Sequence, residues 1–263
     1  MNRFFSRILK RDIKFEDDSF KQIPIESIPP LSIIIPTYEM KGQGAIHLKR
    51  SLDALASQSW KNFEVIITDH SVSDLIKHAS EAYTNLINIK YFKNEIDRGS
   101  SCSNANNGIE KSNYDYVKFL FQDDFLTHQY SLEWGMKFLI KSGKNWVVTA
   151  CNHLSVYDDK IFWNHYPKYV KGELFKAINS LGCPSVTYMK KSDIRFDIRL
   201  PALMDLDYYE QYVLQNGKPA LYNDINVTVG FHDLQITHNG GFGDKQQVAK
   251  ELKIVEEKYR THA

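Results

Sequence analysis

The sequence predicts an α/β fold with a mostly parallel, Rossmann-like central sheet flanked by helices, and a second half that is less regular. Three observations predict it. The runs "LSIII", "FEVIITD" and "YVKFLF" are apolar or β-branched and read as buried strands. The stretches between them carry apolar residues at helical spacing. Gly-, Pro- and Asn-containing segments separate the two kinds of element.

The elements follow in order. "LSIII" at Leu31 to Ile35 gives the first strand, which Pro36 is expected to stop because proline donates no ladder hydrogen bond. Ala45, Leu48, Leu52 and Leu55 then recur as one face of a helix, and Phe63 to Asp69 forms the second strand. Strand, helix, strand is a parallel crossover unit. A helix near Asp74 to Tyr83, a short strand at "INIKYF", a polar loop, a helix from Asn104 to Ser112 and the strand "YVKFLF" continue the alternation. The second half offers helices near Leu132 to Ile140 and Asp205 to Gln215, a strand at "WVVTAC", and aromatic-rich loops. These readings divide the chain into an N-terminal extension or linker (1–30), a main domain (31–240, with halves 31–127 and 128–240) and a C-terminal helix (241–263).

Composition bounds the function. The 263 residues suffice for one substantial core. With 33 Lys plus Arg against 32 Asp plus Glu, the net charge of +1 gives no general reason to expect a nucleic acid partner. Cys102, Cys151 and Cys183 have neither metal-site nor disulfide-framework spacing, so a reducing, cytoplasmic location is expected. No apolar run approaches the roughly 20 residues of a membrane span. The start, "MNRFFSRILKR", separates basic from apolar residues on a helix. It reads either as an interfacial contact of residues 1–11 with the inner face of the plasma membrane or as a frayed terminus.

In open parallel sheets, ligands sit in the crevice beyond the carboxyl ends of the strands. Tyr38, Asp69 and Asp123 all follow strand ends and should converge there. Adjacent carboxylates at Asp123 and Asp124 suit a hard divalent cation, which takes one or two carboxylates plus substrate phosphates. The alternative is a solvated pair, with Asp124 or Thr127 capping the helix through Leu132.

"LSIIIPTYE", "FEVIITDHSVSD", "RGSSCSNANNGI" and "DYVKFLFQDDFL", in this order and spacing, resemble the family 2 glycosyltransferases of the GT-A fold, over roughly Leu31 to Thr237. The resemblance implies an inverting transfer of a sugar from a nucleotide-diphosphate sugar, a UDP-sugar being the first choice. The acceptor would be a glycan or lipid-linked glycan, and the setting bacterial surface polysaccharide synthesis such as lipopolysaccharide or capsule.

It also implies site residues. Pro36, Thr37, Tyr38 and Glu39 fall on the nucleotide pocket, with the Tyr38 ring against the base, and Asp69 on a base or ribose contact. His70 and Ser71 depart from the family's Asp-Asp-Gly-Ser. Arg98, Asn104 and Asn106 fall on the segment that touches nucleoside and diphosphate. Asp123 falls on the acidic residue that holds Mn²⁺ or Mg²⁺, with Gln122 and Asp124 beside it, and Phe121 replaces the first acid of Asp-x-Asp. Asp205 falls on the catalytic base, Met204 replacing the preceding glutamate, and Asp207 on the acceptor side with Pro184 and Ser185 of "GCPS". His232 in "GFHDLQITHN" falls on the histidine that approaches metal or diphosphate. Trp163, Tyr166 and Tyr188 suit sugar faces or the core. Without the resemblance, Tyr38 also reads as a core aromatic, Asp69, Asn104 and Asn106 as helix caps, and Asp205 as a favourable charge in a helix's first turn.

Two rival activities fit less well. A sugar-phosphate nucleotidyltransferase needs a Gly-rich, Arg-containing phosphate loop after the first strand, and "PTYEMKGQG" has no arginine. A non-catalytic nucleotide-sugar-binding relative is disfavoured by the presence of both Asp123 and Asp205.

Overall fold

The computed structural model describes residues 18–234 and 244–260. Its elements are β1 (Leu31–Thr37), α1 (Gly44–Ala56), β2 (Phe63–Asp69), α2 (Leu75–Glu81), β3 (Asn88–Lys93), α3 (Ser101–Lys111), β4 (Tyr116–Phe119), β5 (Phe125–Leu126), α4 (Ser131–Ser142), β6 (Trp146–Ser155), β7 (Lys160–His165), β8 (Thr187–Lys190), α5 (Met204–Asn216), β9 (Ala220–Phe231) and α6 (Lys245–Tyr259). The strands form one sheet in the order β3-β2-β1-β4-β8-β6-β9-β5, and β7 pairs with β6.

The first half is the expected parallel unit: β2 pairs with both β3 and β1, and β1 with β4, all in parallel. The second half is mixed. Strand β8 runs antiparallel between β4 and β6, and β6 and β9 form a long parallel pair. Strands β7, β8 and β9 escape sequence reading, β9 because polar residues interrupt its apolar run. Asp224 and Asn226 are buried there and paired instead with His128 and Tyr188.

Several boundaries differ from expectation. Pro36 lies inside β1. The Ile34 carbonyl accepts from Leu120 N on the β4 side, and the Pro36 nitrogen faces that same side without a proton to donate, which agrees with the β1–β4 pairing ending at Ile34 and Phe119. Helix α3 begins at Ser101 because the Ser100 hydroxyl accepts from Ser103 N, ahead of Asn104. Strand β4 ends at Phe119, and Phe121 N donates to the Ser185 hydroxyl at 2.9 Å instead of extending a ladder. Neither Asp124 nor Thr127 caps α4, whose N-cap residue Tyr130 makes no side-chain capping bond.

The main core packs α1, α3 and α4 against the sheet through residues such as Ile33, Leu52, Phe119 and Trp146. A second small core, with Leu174, Leu203, Leu206, Val255 and Tyr259, forms where α6 meets the start of α5. No helix among the described residues is long and apolar enough to cross a membrane. The basic start of the chain (1–11) and the segment from Gln235 to Gly243 lie outside the described residues.

Candidate functional site

A cavity of about 830 Å³ opens at the carboxyl ends of the parallel strands, within the size range of sites for small organic ligands. Pro36, Thr37, Tyr38, His70, Asn104, Gln122, Asp123, Asp124, Pro184 and Asp205, drawn from both halves of the chain, line it.

The side expected to take a nucleotide is built on strand ends. Tyr38 is 44% exposed, which excludes a core role and leaves its ring available for stacking. Its backbone is fixed by Gln122, whose amide accepts from Tyr38 N at 2.5 Å and donates to Tyr38 O at 3.0 Å. Gly44 permits this contact, because a Cβ there would meet Tyr38 O at 2.1 Å. The Asn104 amide donates to the carbonyls of Thr37 and Thr68, tying the ends of β1 and β2 to α3. His70 lies in the cavity wall, with Asn94 and the Gly99 N–H at its two ring nitrogens. Burial lowers its pKa, which favours the neutral ring.

Several expected contacts take other partners. Asp69 is fully buried and accepts from Ser71 N and the Tyr91 hydroxyl, with Lys93 at 3.7 Å, so it lies behind the cavity lining. Glu39 accepts from Val72 N, and Arg98 pairs with Glu95 at the surface. Asn106 exchanges two 2.8 Å bonds with the backbone of Phe196, joining α3 to the chain before α5. None of these four lines the cavity.

The two adjacent aspartates differ. Asp124 is buried, and desolvation, with the Asp123 charge beside it, raises its pKa well above the carboxylate range. Its oxygens lie at 3.3 Å from Gly230 N and 3.8 Å from the Cys183 thiol. Gly230 lets β9 approach, since a Cβ there would meet Asp123 O at 2.3 Å. Behind them Lys118 is fully buried on β4, donating to Ser185 O, and desolvation brings its pKa down to about 7. Asp123 keeps a side chain 15% exposed, and His232 Nε2 stands 3.1 Å from its carboxylate. Leu234 N donates to His232 Nδ1, so in the neutral ring the proton sits on Nε2 and points at Asp123. His47 of α1 stacks on His232 with centroids 4.6 Å apart. The charge pattern of the sequence does not reveal His47, Lys118 or Cys183, because their roles depend on distant partners.

Among the described residues no group of three or more His, Cys, Asp or Glu side chains is arranged to hold a metal. One cavity-facing carboxylate with a nearby imidazole does fit a hard cation that keeps its waters and takes its remaining ligands from a bound diphosphate.

On the opposite side Asp205 stands in the first turn of α5 and lines the cavity. Burial raises its pKa to about 6, against the opposing effect of the Leu206 N–H and the Asn179 amide. The Asn179 amide donates to Asp205 Oδ2 at 2.5 Å. Pro184 lines the cavity, but the fully buried Ser185 stands behind it. Asp207, expected near the acceptor, is fully buried against α6, with Lys258 Nζ at 2.8 Å and the Tyr259 hydroxyl at 2.9 Å. Tyr188 is also buried, bonded to Asn226 and Ser131 O, so it offers no sugar face. Tyr166 is 47% exposed but lies outside the lining. Trp163 does line the cavity, 53% exposed and stacked on His153 at 4.5 Å.

The family described as Glycosyl transferase family 2 matches residues 32–211. A curated relative, the GalNAc(5)-diNAcBac-PP-undecaprenol beta-1,3-glucosyltransferase of Campylobacter jejuni, is 30% identical over 100 residues, which are 38% of this chain and 31% of that protein. Among solved structures, S. aureus TarS 1-349 in complex with UDP-GlcNAc superposes with a TM-score of 0.62 at 16% identity, over 77% of this chain and 59% of that one. The mannosyltransferase PcManGT of Pyrobaculum calidifontis, in complex with GDP-Man and Mn²⁺, superposes with a TM-score of 0.56 at 14% identity, over 86% of this chain and 62% of that one. This chain thus spans about a third of that relative's length and about three fifths of each solved chain. At these identities the structural likeness concerns the fold.

Proposed function

The chain belongs to glycosyl transferase family 2 and has the GT-A fold, and from that premise we propose that it is an inverting glycosyltransferase that takes a nucleotide-diphosphate sugar, a UDP-sugar first, and transfers the sugar to a glycan or lipid-linked glycan of a bacterial surface polysaccharide. The observation that carries this reading is that Asp123 and Asp205, from opposite halves of the chain, line one cavity. Tyr38 stacks on the base, and Thr37, His70 and Asn104 surround the nucleoside. Asp123, with His232 beside it, would hold Mn²⁺ or Mg²⁺. A cation bound there would neutralise the diphosphate as charge grows on the leaving oxygen.

Asp205 is the general base. It takes the proton of the acceptor hydroxyl as the oxygen bonds to the anomeric carbon, and the bond from that carbon to the diphosphate breaks, its electron pair leaving with the nucleoside diphosphate. A pKa of about 6 suits this work: the carboxylate is ionised at neutral pH yet more basic than an exposed aspartate. The UDP-GlcNAc complex of the structural neighbour TarS supports the donor class, and the undecaprenol-linked glycan in the name of the Campylobacter relative supports the acceptor class.

The test is a thermal-shift series with UDP, GDP and their sugars, with Mn²⁺ or with chelator, followed by an assay for nucleoside diphosphate release. A nucleotide at 100 times its Kd should add about 2.7 kcal/mol of stability, and only with Mn²⁺. Failure of every nucleotide to raise the melting temperature overturns the donor assignment. Equal shifts with and without chelator remove the cation.

A further inference from the structure

We infer that Asn179 is a positioning residue for the proposed base, holding the Asp205 carboxylate at the acceptor end of the cavity and keeping it in its proton-accepting form. The inference rests on the reading of Asp205 as base. Asn179 lies in the chain between β7 and β8 and lines the cavity beside Asp205.

Its amide orientation is fixed by four partners that agree. Nδ2 donates to Asp205 Oδ2 at 2.5 Å and to Gly182 O at 3.0 Å. Oδ1 accepts from Leu181 N at 3.1 Å and Gly182 N at 2.9 Å. Flipping the amide would set oxygen against oxygen and N–H against N–H at every contact. The side chain is therefore locked by the loop it braces, and its remaining donor is aimed at one carboxylate oxygen. A hydrogen bond to the charged form of an acid favours that form. Leu206 N fixes the other oxygen, Oδ1, at 2.9 Å, so the carboxylate is held from two directions. The Asn179 loop also carries Gly182, Cys183 and Pro184 of the cavity wall, so wall and base are set by one side chain.

Among the described residues, the titratable groups facing Asp205 are the Cys183 thiol and the Tyr209 hydroxyl, both raised well above their ordinary pKa by burial and hence neutral at pH 7. The Tyr209 hydroxyl donates to Gly182 O. Asn179 is thus the side chain that biases Asp205 toward ionisation.

Asn179→Asp separates orientation from bracing. Its oxygens can still accept from Leu181 N and Gly182 N, but the donor to Asp205 becomes a second carboxylate. Asn179→Ala removes both functions. The measurement is the pH dependence of kcat/KM for transfer between pH 5 and 9, with donor affinity and melting temperature taken on the same samples. The expected result is an acid limb displaced upward by about one pH unit or more in both variants, with donor affinity unchanged. A rate loss of equal size at every pH, with the limb where the wild type has it, overturns the inference. Asp205→Asn keeps the two failures apart: if it still transfers sugar, the base reading has failed, and if it is inactive while the Asn179 limbs stay fixed, the positioning role alone has failed.

Discussion

The two halves of the sheet support their site residues in different ways. From β1 to β3 the chain is largely its own scaffold: Thr37, Tyr38 and His70 lie at the ends of parallel strands and are tied by Asn104 and Gln122 of the same half, whereas Asp123, beyond β4, also meets His232 of the second half. In the second half Asp205 lies in the first turn of a helix whose approach is tied down by residues far along the chain. Glu251 of α6 accepts from Ala202 N and Leu203 N at 2.9 to 3.1 Å, and Lys258 neutralises Asp207. The strand-end residues Thr37, Tyr38 and His70 are therefore held by a local β/α repeat, whereas the setting of Asp205 depends on a helix beyond the stretch that matches the family.

The strongest test of that division is Asp205→Asn. Transfer should fall by a factor on the order of 10²–10⁴, while nucleotide affinity, measured by calorimetry, stays within twofold. Loss of both would show that the halves are not separable. Next, Asp123→Asn should weaken Mn²⁺-dependent nucleotide binding by about 100-fold, about 2.7 kcal/mol, and leave the melting temperature close to wild type, because the side chain meets the cavity and not the core. Affinity that survives would return the diphosphate contact to other residues.

Glu251→Ala probes the long-range support. It orphans two buried N–H groups, so a stability loss of about 2–4 kcal/mol by urea titration is expected, with reduced transfer and an unchanged nucleotide Kd. An equal loss of nucleotide affinity would mean that α6 supports both ends of the cavity. Smallest in effect is Tyr38→Ala, which should weaken nucleotide binding about 10-fold through lost stacking and leave stability nearly unaltered, given the exposure of the ring. In wild-type enzyme kcat/KM should decline as pH falls through about 6, since Asp205 must be ionised to accept a proton and its burial raises the pKa to that value.

Much of the first half was legible in the sequence. Parallel strands buried on both faces are continuous apolar runs, and residues just after each run fall in the crevice, so Tyr38 and Asp123 could be located from patterning, while Thr37 came from the resemblance. Asp69 shows the limit. Its place at a strand end is local, but its burial behind Tyr91 and Lys93 depends on β3. Asp205 and Asp207 show it again, because two carboxylates separated by one residue in the same helical turn have opposite surroundings, one at the cavity and one under α6.

The amino-acid pattern alone sets the order of strands and helices in the first half, the position of its strand-end residues, and the resemblance that named the chemistry. The first two follow from backbone periodicity, which is local, and the resemblance from the residue types of four short motifs. The packed chain was needed to show which of two neighbouring carboxylates is buried, that Asn179 meets Asp205, that His47 stacks on His232, and that Glu251 anchors the start of α5. The physical reason is that the desolvation of a charge, and the partner that compensates it, are set by whichever distant segment packs over it.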